Sequence, residues 1–438
     1  MPGDRIRQAE AESVGARIRR LRLARGLSQK ELAGPDFSDA HISRIESGSR
    51  KPSLATLRYI AGRLGVDPEA LESGATVPAS KERELRLADA ELSLRLDGDL
   101  DHAEGILLGL LAEEIPDGLE ARIRATLGTI RARRGDYVEA TRQLEGVIAS
   151  GAFHPCTRPD VYETLSRAYL ATGSPVLAIK LLEGAIETAD SERRYLTQQV
   201  RFRVFLATAL SAVGAFERAQ EVLQVAAERA DELEQPGVRV SVEWEKARVA
   251  WNKGDSEAAL AGLTYARVLA DLMEDSLLLG QLHLLASQML TGIGKPAEAR
   301  EHLRQAEPAL LRADDAIDRG LLRCEAAKVE AALGDPSRAL EYAEEADRLL
   351  GGHVRHRANG RHALAVAHAA LGRLDEAEPE FEEAIELLLA RGQWREAGSI
   401  ARDWAKALQS AGRDRDALAI LDRAIDFPRH QVAATEAL

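Results

Sequence analysis

The chain has 438 residues, with 58 Lys and Arg against 71 Asp and Glu, a net charge of −13, 45% apolar residues and only 4% aromatic ones. A chain of this length and composition holds several domains, or one domain and a repeat array, and its acidity taken whole argues against a nucleic-acid partner. No apolar run approaches the roughly eighteen residues of a membrane span, the N-terminus lacks the apolar stretch of a signal peptide, and Cys156 and Cys324 form neither a metal motif nor a disulfide framework. A reducing cytoplasm is the expected compartment.

The charge is unevenly spread. Residues 14–64 carry eleven basic and four acidic groups, a balance of +7, which leaves −20 on the other 387 residues. A small basic head of this kind suits phosphates. The same segment, continued to residue 74, reads as five short helices. The first, VGARIRRLRLARG, places Ile18 and Leu21 on one face and stops at Gly26. The second, LSQKELAG, opens on a capping box, Ser28 with Glu31 three residues on. Ser38 caps the third, whose Ile42 and Ile45 point inward, and Ser53 caps the fourth. Asp67 before Pro68 opens a fifth.

The string IRRLRLARGLSQKELA, then SDAHISRIESGSRKPSLATLRYIAGRLGV, resembles the phage-repressor-type (XRE) helix-turn-helix family. The turn AGPDFS is one residue shorter than the common family pattern. The resemblance implies a DNA-binding domain over 12–74 whose third helix enters the major groove. By position, Asp39, Ala40, His41 and Arg44 would face base edges, with Arg44 matched to guanine O6 and N7. Ser38 and Ser43 would meet phosphate, Gln29 and Lys30 would meet the backbone at the start of helix two, and Arg50 and Lys51 suit phosphates. Asp39 is read chiefly as a cap. Arg22 and Glu46 match a pair that links helices one and three in this family, a structural role.

A linker is expected at 75–82, near SGATVPAS, and then a repeat array over 83–427. Glycines recur 37 to 41 residues apart, at 98, 135, 173, 214, 254, 294, 334, 372 and 412. Alanine stands five residues after each, and a small residue seven before all but the first. Small residues let helices approach closely, so each repeat is expected to be two antiparallel helices joined at the glycine. Fragments such as RGDYVEATRQLEGVIA and LGRLDEAEPEFEEAIELL resemble tetratricopeptide repeats, whose reference length is about 34 residues. The fold expected is all-α: a five-helix head, a right-handed α-solenoid of about nine helix pairs, and a frayed tail over 428–438.

Nothing in the array reads as catalytic, so no enzyme and no cofactor are expected. His353, His356, His362 and His368 cluster in sequence, but Arg357 and Arg361 crowd them and no metal is assigned. The resemblance instead directs attention to the inner face of each repeat's first helix, 13, 10, 6 and 3 residues before the glycine. In repeats four to nine these 24 positions hold five basic residues and no acid. Among them Arg201, Thr208, Trp244, Arg248, Trp251, Gln281, Gln288, Lys328, Asn359, His362, Arg402 and Lys406 are the candidate ligand contacts. Amides suit a peptide backbone, Arg and Lys suit a carboxylate, and the Trp pair offers flat anchors. The head and body together resemble the peptide-sensing quorum regulators of Gram-positive bacteria. That resemblance implies a homodimer on a palindromic operator in double-stranded DNA, controlled by a short peptide or small-molecule signal, with no membrane partner. The alternative is an interaction scaffold that a DNA-binding head merely localises.

Overall fold

The computed structural model describes residues 13–66, 68–73, 79–96, 99–233, 235–312, 315–353, 356–390 and 393–427. Asp67, Gly98, the start of the expected linker (74–78) and the tail from 428 lie outside the described residues. No strand occurs among the described residues. Two compact units result, Met1–Leu92 and Ser93–Leu438.

The first unit contains α1 (Val14–Ala24), α2 (Gln29–Ala33), α3 (Asp39–Glu46), α4 (Leu54–Leu64) and α5 (Pro68–Ser73). The starts of α1 to α4 are each set by a side chain that satisfies an orphan amide. Ser13 accepts from Ala16, Ser28 and Glu31 close a reciprocal capping box, Ser38 accepts from His41 and Ser53 from Thr56. The apolar faces converge on Ile18, Leu32, Ile42, Ile45, Leu57, Ile60, Leu64 and Leu71. Gly15 lets α1 pass against α3, since a Cβ there would lie 2.1 Å from the Ile45 carbonyl oxygen. A long helix, α6, runs Ala79–Arg95, so residues 79–82 of the expected linker are helical, and the boundary between the units falls inside α6.

The second unit continues with α7 (Leu100–Leu111) and then eight helix pairs: α8 (Asp117–Arg133) with α9 (Tyr137–Ala149), α10 (Pro159–Ala171) with α11 (Pro175–Asp190), α12 (Leu196–Ala212) with α13 (Phe216–Asp231), and α14 (Pro236–Lys253) with α15 (Ser256–Leu272). There follow α16 (Ser276–Gly292) with α17 (Pro296–Leu310), α18 (Ala316–Leu333) with α19 (Pro336–Leu350), α20 (Arg357–Ala370) with α21 (Leu374–Leu389), and α22 (Trp394–Ser410) with α23 (Asp414–Ile425). These pairs are repeats two to nine. The eight described marker glycines all have φ between 75° and 96°, a turn that β-carbon sterics disfavour. The alanines five residues later are all wholly buried, from Ala103 to Ala417, because there the second helix crosses the first at close range. Consecutive first helices also touch, α12 with α14, α16 with α18 and α18 with α20, whereas consecutive second helices make no comparable contact among the described residues. The first helices therefore line the inner wall.

Candidate DNA-reading face and inner groove

On the head, α3 buries Ile42 and Ile45 and turns Asp39, Ala40, Ser43 and Arg44 to solvent. Arg44 lies along the helix, its Nε donating to the Ala40 carbonyl at 3.2 Å. The Ala40 amide donates to Asp39 Oδ1 at 2.7 Å, but the cap of α3 is Ser38, not Asp39. Lys30, Ser38, Arg50 and Lys51 are exposed, and His41 is half-buried.

The back of α3 is anchored electrostatically. Glu46 is 7% exposed and takes Arg22 through two contacts, Nε to Oε1 at 2.6 Å and Nη2 to Oε2 at 2.9 Å. Gln29 Nε2 also donates to Glu46 Oε2 at 2.9 Å, so its side chain is tied to the pair rather than swinging free. Burial alone would push the Glu46 carboxyl up, but the hydrogen bonds from Arg22 and Gln29 and the Arg22 charge outweigh it and hold it below the usual range. The short α2–α3 turn is braced by α4: the Tyr59 hydroxyl donates to the Ala33 carbonyl at 3.0 Å, and Arg63 Nη2 to the Glu31 carbonyl at 2.6 Å. Phe37 in the turn meets Tyr59 edge-on at 5.0 Å and stacks on His41 at 5.1 Å.

In the body, the positions of the expected inner stripe lie on the first helices, and most of their polar members are already partnered. Arg201 meets Glu163 at 2.6 Å, and Thr208 donates to Glu245 at 2.8 Å. Arg248 meets Glu245 at 2.9 Å, and Gln281 donates to Asp318 at 3.1 Å. Lys328 meets Glu325 at 2.7 Å, while His362 and Lys406 flank Asp403 at 3.1 and 3.5 Å. Asn359 and Arg402 are exposed, and Gln288 is half-buried. Trp244 and Trp251 are half-buried against a core of Val240, Ala247, Leu263 and Met289. Trp251 also fills the space where a Cβ at Gly292 would stand, 2.9 Å from its ring. His362 of repeat eight and Lys406 of repeat nine thus share Asp403.

A long-range contact joins the body to itself. Arg395 of repeat nine donates from Nη1 to the Ser211 carbonyl of repeat four at 2.5 Å, across 184 residues. Its guanidinium lies 5.1 Å from the Phe216 ring and 4.6 Å from the Trp394 ring. Ser211 is in the last turn of α12, where its carbonyl also accepts from the Gly214 amide at 3.1 Å and the helix end favours a cation.

A helix-turn-helix domain family matches residues 13–74, and a tetratricopeptide-repeat family matches 357–391. An uncharacterised HTH-type transcriptional regulator, y4dJ, of Sinorhizobium fredii is 43% identical over 54 residues, which are 12% of this chain and 70% of that protein. The chain belongs to the helix-turn-helix transcriptional regulators. An immunity repressor protein of Bacillus phage phi105 is 29% identical over 99 residues, 22% of the regulator and 69% of the repressor. The Rap conjugation gene regulator of plasmid pLS20, solved in complex with the Phr* peptide, superposes with a TM-score of 0.51 at 14% identity, over 97% of each chain. At that identity the likeness establishes a shared helical-repeat fold.

Sequence reading of the regulator passed over three features. Phe37, Tyr59 and Arg63 carry no motif. The acids Glu245, Glu325 and Asp403 stand nine residues before their glycines, one step off the face that was counted, and Glu163 lies in repeat three, outside the repeats counted. Arg395 meets a turn whose nearness no local pattern encodes.

Proposed function

We propose that the regulator acts as a cytoplasmic homodimer on a palindromic operator, and that a short peptide or small-molecule signal in the inner groove controls that binding. The reading rests chiefly on the exposed Ala40–Ser43–Arg44 face of α3, which is fixed from behind by the buried Arg22–Glu46 pair. In this reading Arg44, with Asp39, Ala40 and His41, reads bases. Lys30, Ser38, Ser43, Arg50 and Lys51 position the head on phosphates, together with Gln29 through the start of α2. Two-fold symmetry of the dimer makes the operator palindromic. The groove residues Arg201, Trp244, Arg248, Trp251, Gln288, Lys328, Asn359, His362, Arg402 and Lys406 supply cations, amides and flat rings for the signal. The peptide in the Rap complex, bound to a protein of the same helical-repeat fold, supports this choice of ligand.

Genome-wide mapping of bound DNA tests the head. Arg44→Ala is expected to cost about 1–3 kcal/mol at one base position and to relax discrimination there. Full site discrimination by that variant would remove α3 from the reading role. Native mass spectrometry of protein from its source tests the body: a co-purified short peptide supports the proposal, and a stoichiometric folded partner supports a scaffold instead.

A further inference from the structure

Acids recur on the inner wall in every second repeat, nine residues before the glycine in repeats five, seven and nine and ten before it in repeat three. Glu163, Glu245, Glu325 and Asp403 belong to repeats three, five, seven and nine. Their side chains are 7%, 5%, 0% and 35% exposed. The last three each carry a base three residues on, Arg248, Lys328 and Lys406. Those bases are 42%, 25% and 73% exposed. Each acid is also met by the neighbouring even repeat: Glu163 by Arg201, Glu245 by Thr208, Glu325 by Thr291 at 2.6 Å, and Asp403 by His362.

Helix packing does not require the acids of repeats five, seven and nine. The position nine before the glycine holds Phe205, Leu285 and Ala363 in repeats four, six and eight, and there it packs as an apolar residue in the core. An apolar side chain therefore stacks well at this point. Replacing a buried ion pair by packed apolar residues is often neutral or stabilising, so stability alone does not account for Glu245 and Glu325. The result is a row of fixed dipoles with the carboxylate underneath and the cation toward the groove. Arg248 gives one N–H to Glu245 and Lys328 one to Glu325. Arg has five such donors and Lys three, so further hydrogen-bonding capacity remains on the exposed side.

We propose that the inner groove selects an extended peptide rich in carboxylates, which Arg248, Lys328 and Lys406 of repeats five, seven and nine receive while Glu245, Glu325 and Asp403 hold those cations in place. The inference rests on the peptide reading above and names the chemistry of that ligand. Glu245 and Glu325 lie 5% and 0% exposed beneath Arg248 and Lys328, which are 42% and 25% exposed. The groove therefore offers its cation and withholds its anion. A carboxylate meeting such a cation away from bulk water makes a charge-assisted contact, whereas a cationic peptide meets like charge.

The test uses the full-length protein and a mixture of hexapeptides randomised over Asp, Asn, Lys, Leu and Gly, with the retained peptides read by mass spectrometry. Asp-rich members are expected to be enriched about tenfold over their Asn isosteres for each pair made. The net charge of −13 on the whole chain would produce the opposite bias, toward Lys, if adsorption were merely electrostatic. Arg248→Gln and Lys406→Gln are each expected to reduce the Asp preference about tenfold. Lys406→Gln leaves Asp403 its His362 partner, so it tests the cation without leaving an acid unpaired. Equal retention of Asp and Asn peptides, or an undiminished preference in both variants, overturns the inference while leaving a peptide groove intact. Retention of no peptide at all overturns the peptide reading with it.

Discussion

Arg395→Ala should loosen the body between repeats four and nine. The side chain gives up one charge-assisted hydrogen bond to the Ser211 carbonyl and two ring contacts, with Phe216 and Trp394. A hydrogen bond from a charged donor contributes about 1.5–3 kcal/mol, and each cation–π contact about 0.5–1 kcal/mol where it is partly solvated. Trp394 is the neighbouring residue and stays close in either state, so only the first two terms bear on the joint. Burial lowers the Arg395 pKa, a sign that desolvation offsets part of the gain. A net of about 2 kcal/mol remains, roughly a thirtyfold change in the ratio of joined to separated forms. Spin labels on exposed positions of α13 and α23 would report the distance between the two repeats, and hydrogen exchange at Gly214 and Ala215 would report the turn. The expected result is a broader, longer distance distribution and faster exchange, with the melting of the other repeats little changed. An unaltered distribution would mean that stacking along the repeats sets the curvature and that Arg395 merely follows it.

Three further outcomes are expected. Glu46→Gln leaves Arg22 buried beside a neutral amide, and loss of one partner of a buried pair costs about 3–5 kcal/mol; the head should melt first and lose operator binding, and an unchanged head transition by calorimetry would refute this. His283 and His302 face each other Nδ1 to Nδ1 at 2.9 Å, with Arg267 Nη1 3.0 Å from His302 and the charges of Glu298 and Glu301 nearby. Burial, then Arg267 and His302, pushes His283 down to about 4. The unfolded chain therefore takes up a proton below about pH 6.5 that the fold refuses, and stability falls by roughly 3 kcal/mol as pH drops from 6.5 to 4. His283→Gln should flatten that part of the profile in urea melts, and an identical slope would refute the assignment. Gly292→Ala puts a Cβ 2.9 Å from the Trp251 ring, so the ring must move; a shift in tryptophan emission is expected, and an unchanged spectrum would show that the groove wall absorbs the methyl group.

How much of this was legible in the sequence depends on range. Ser28, Ser38 and Ser53 act within three residues of themselves, so their caps could be read directly, and so could the positive-φ glycines and the alanines behind them. The exposed face of α3 followed from the same spacing. The acids of the groove were hidden by their position: Glu245, Glu325 and Asp403 stand nine residues before the glycine, beside the positions that define the inner face, and they recur only in every second repeat. Counted on that face alone, the stripe looks purely basic, whereas Glu245, Glu325 and Asp403 neutralise it from beneath. Arg395 was invisible for a different reason. Its partners lie 184 and 179 residues away, and their meeting depends on the accumulated curvature of the intervening repeats, each of which contributes a small rotation.

That contact also constrains how any groove ligand acts. A ligand shifts a conformational equilibrium only by the difference in its affinity for the two states. A peptide confined to repeats five and six would meet the same wall whether or not Arg395 touches Ser211, and would switch nothing at that joint. One that reaches from Arg201 and Thr208 in repeat four to Arg402 and Lys406 in repeat nine spans the same two repeats that Arg395 ties, and so feels their separation directly. Coupling between the two is reciprocal. Suppose binding favours the joined form and that form already dominates. Arg395→Ala then weakens the ligand only once the separated form becomes the majority, because the ligand must then bring repeats four and nine back together when it binds. Suppose instead that binding favours the separated form. The same substitution then tightens the ligand, by at most the thirtyfold set by the joint itself. The sign of the affinity change in Arg395→Ala therefore reports which form of the body carries the signal.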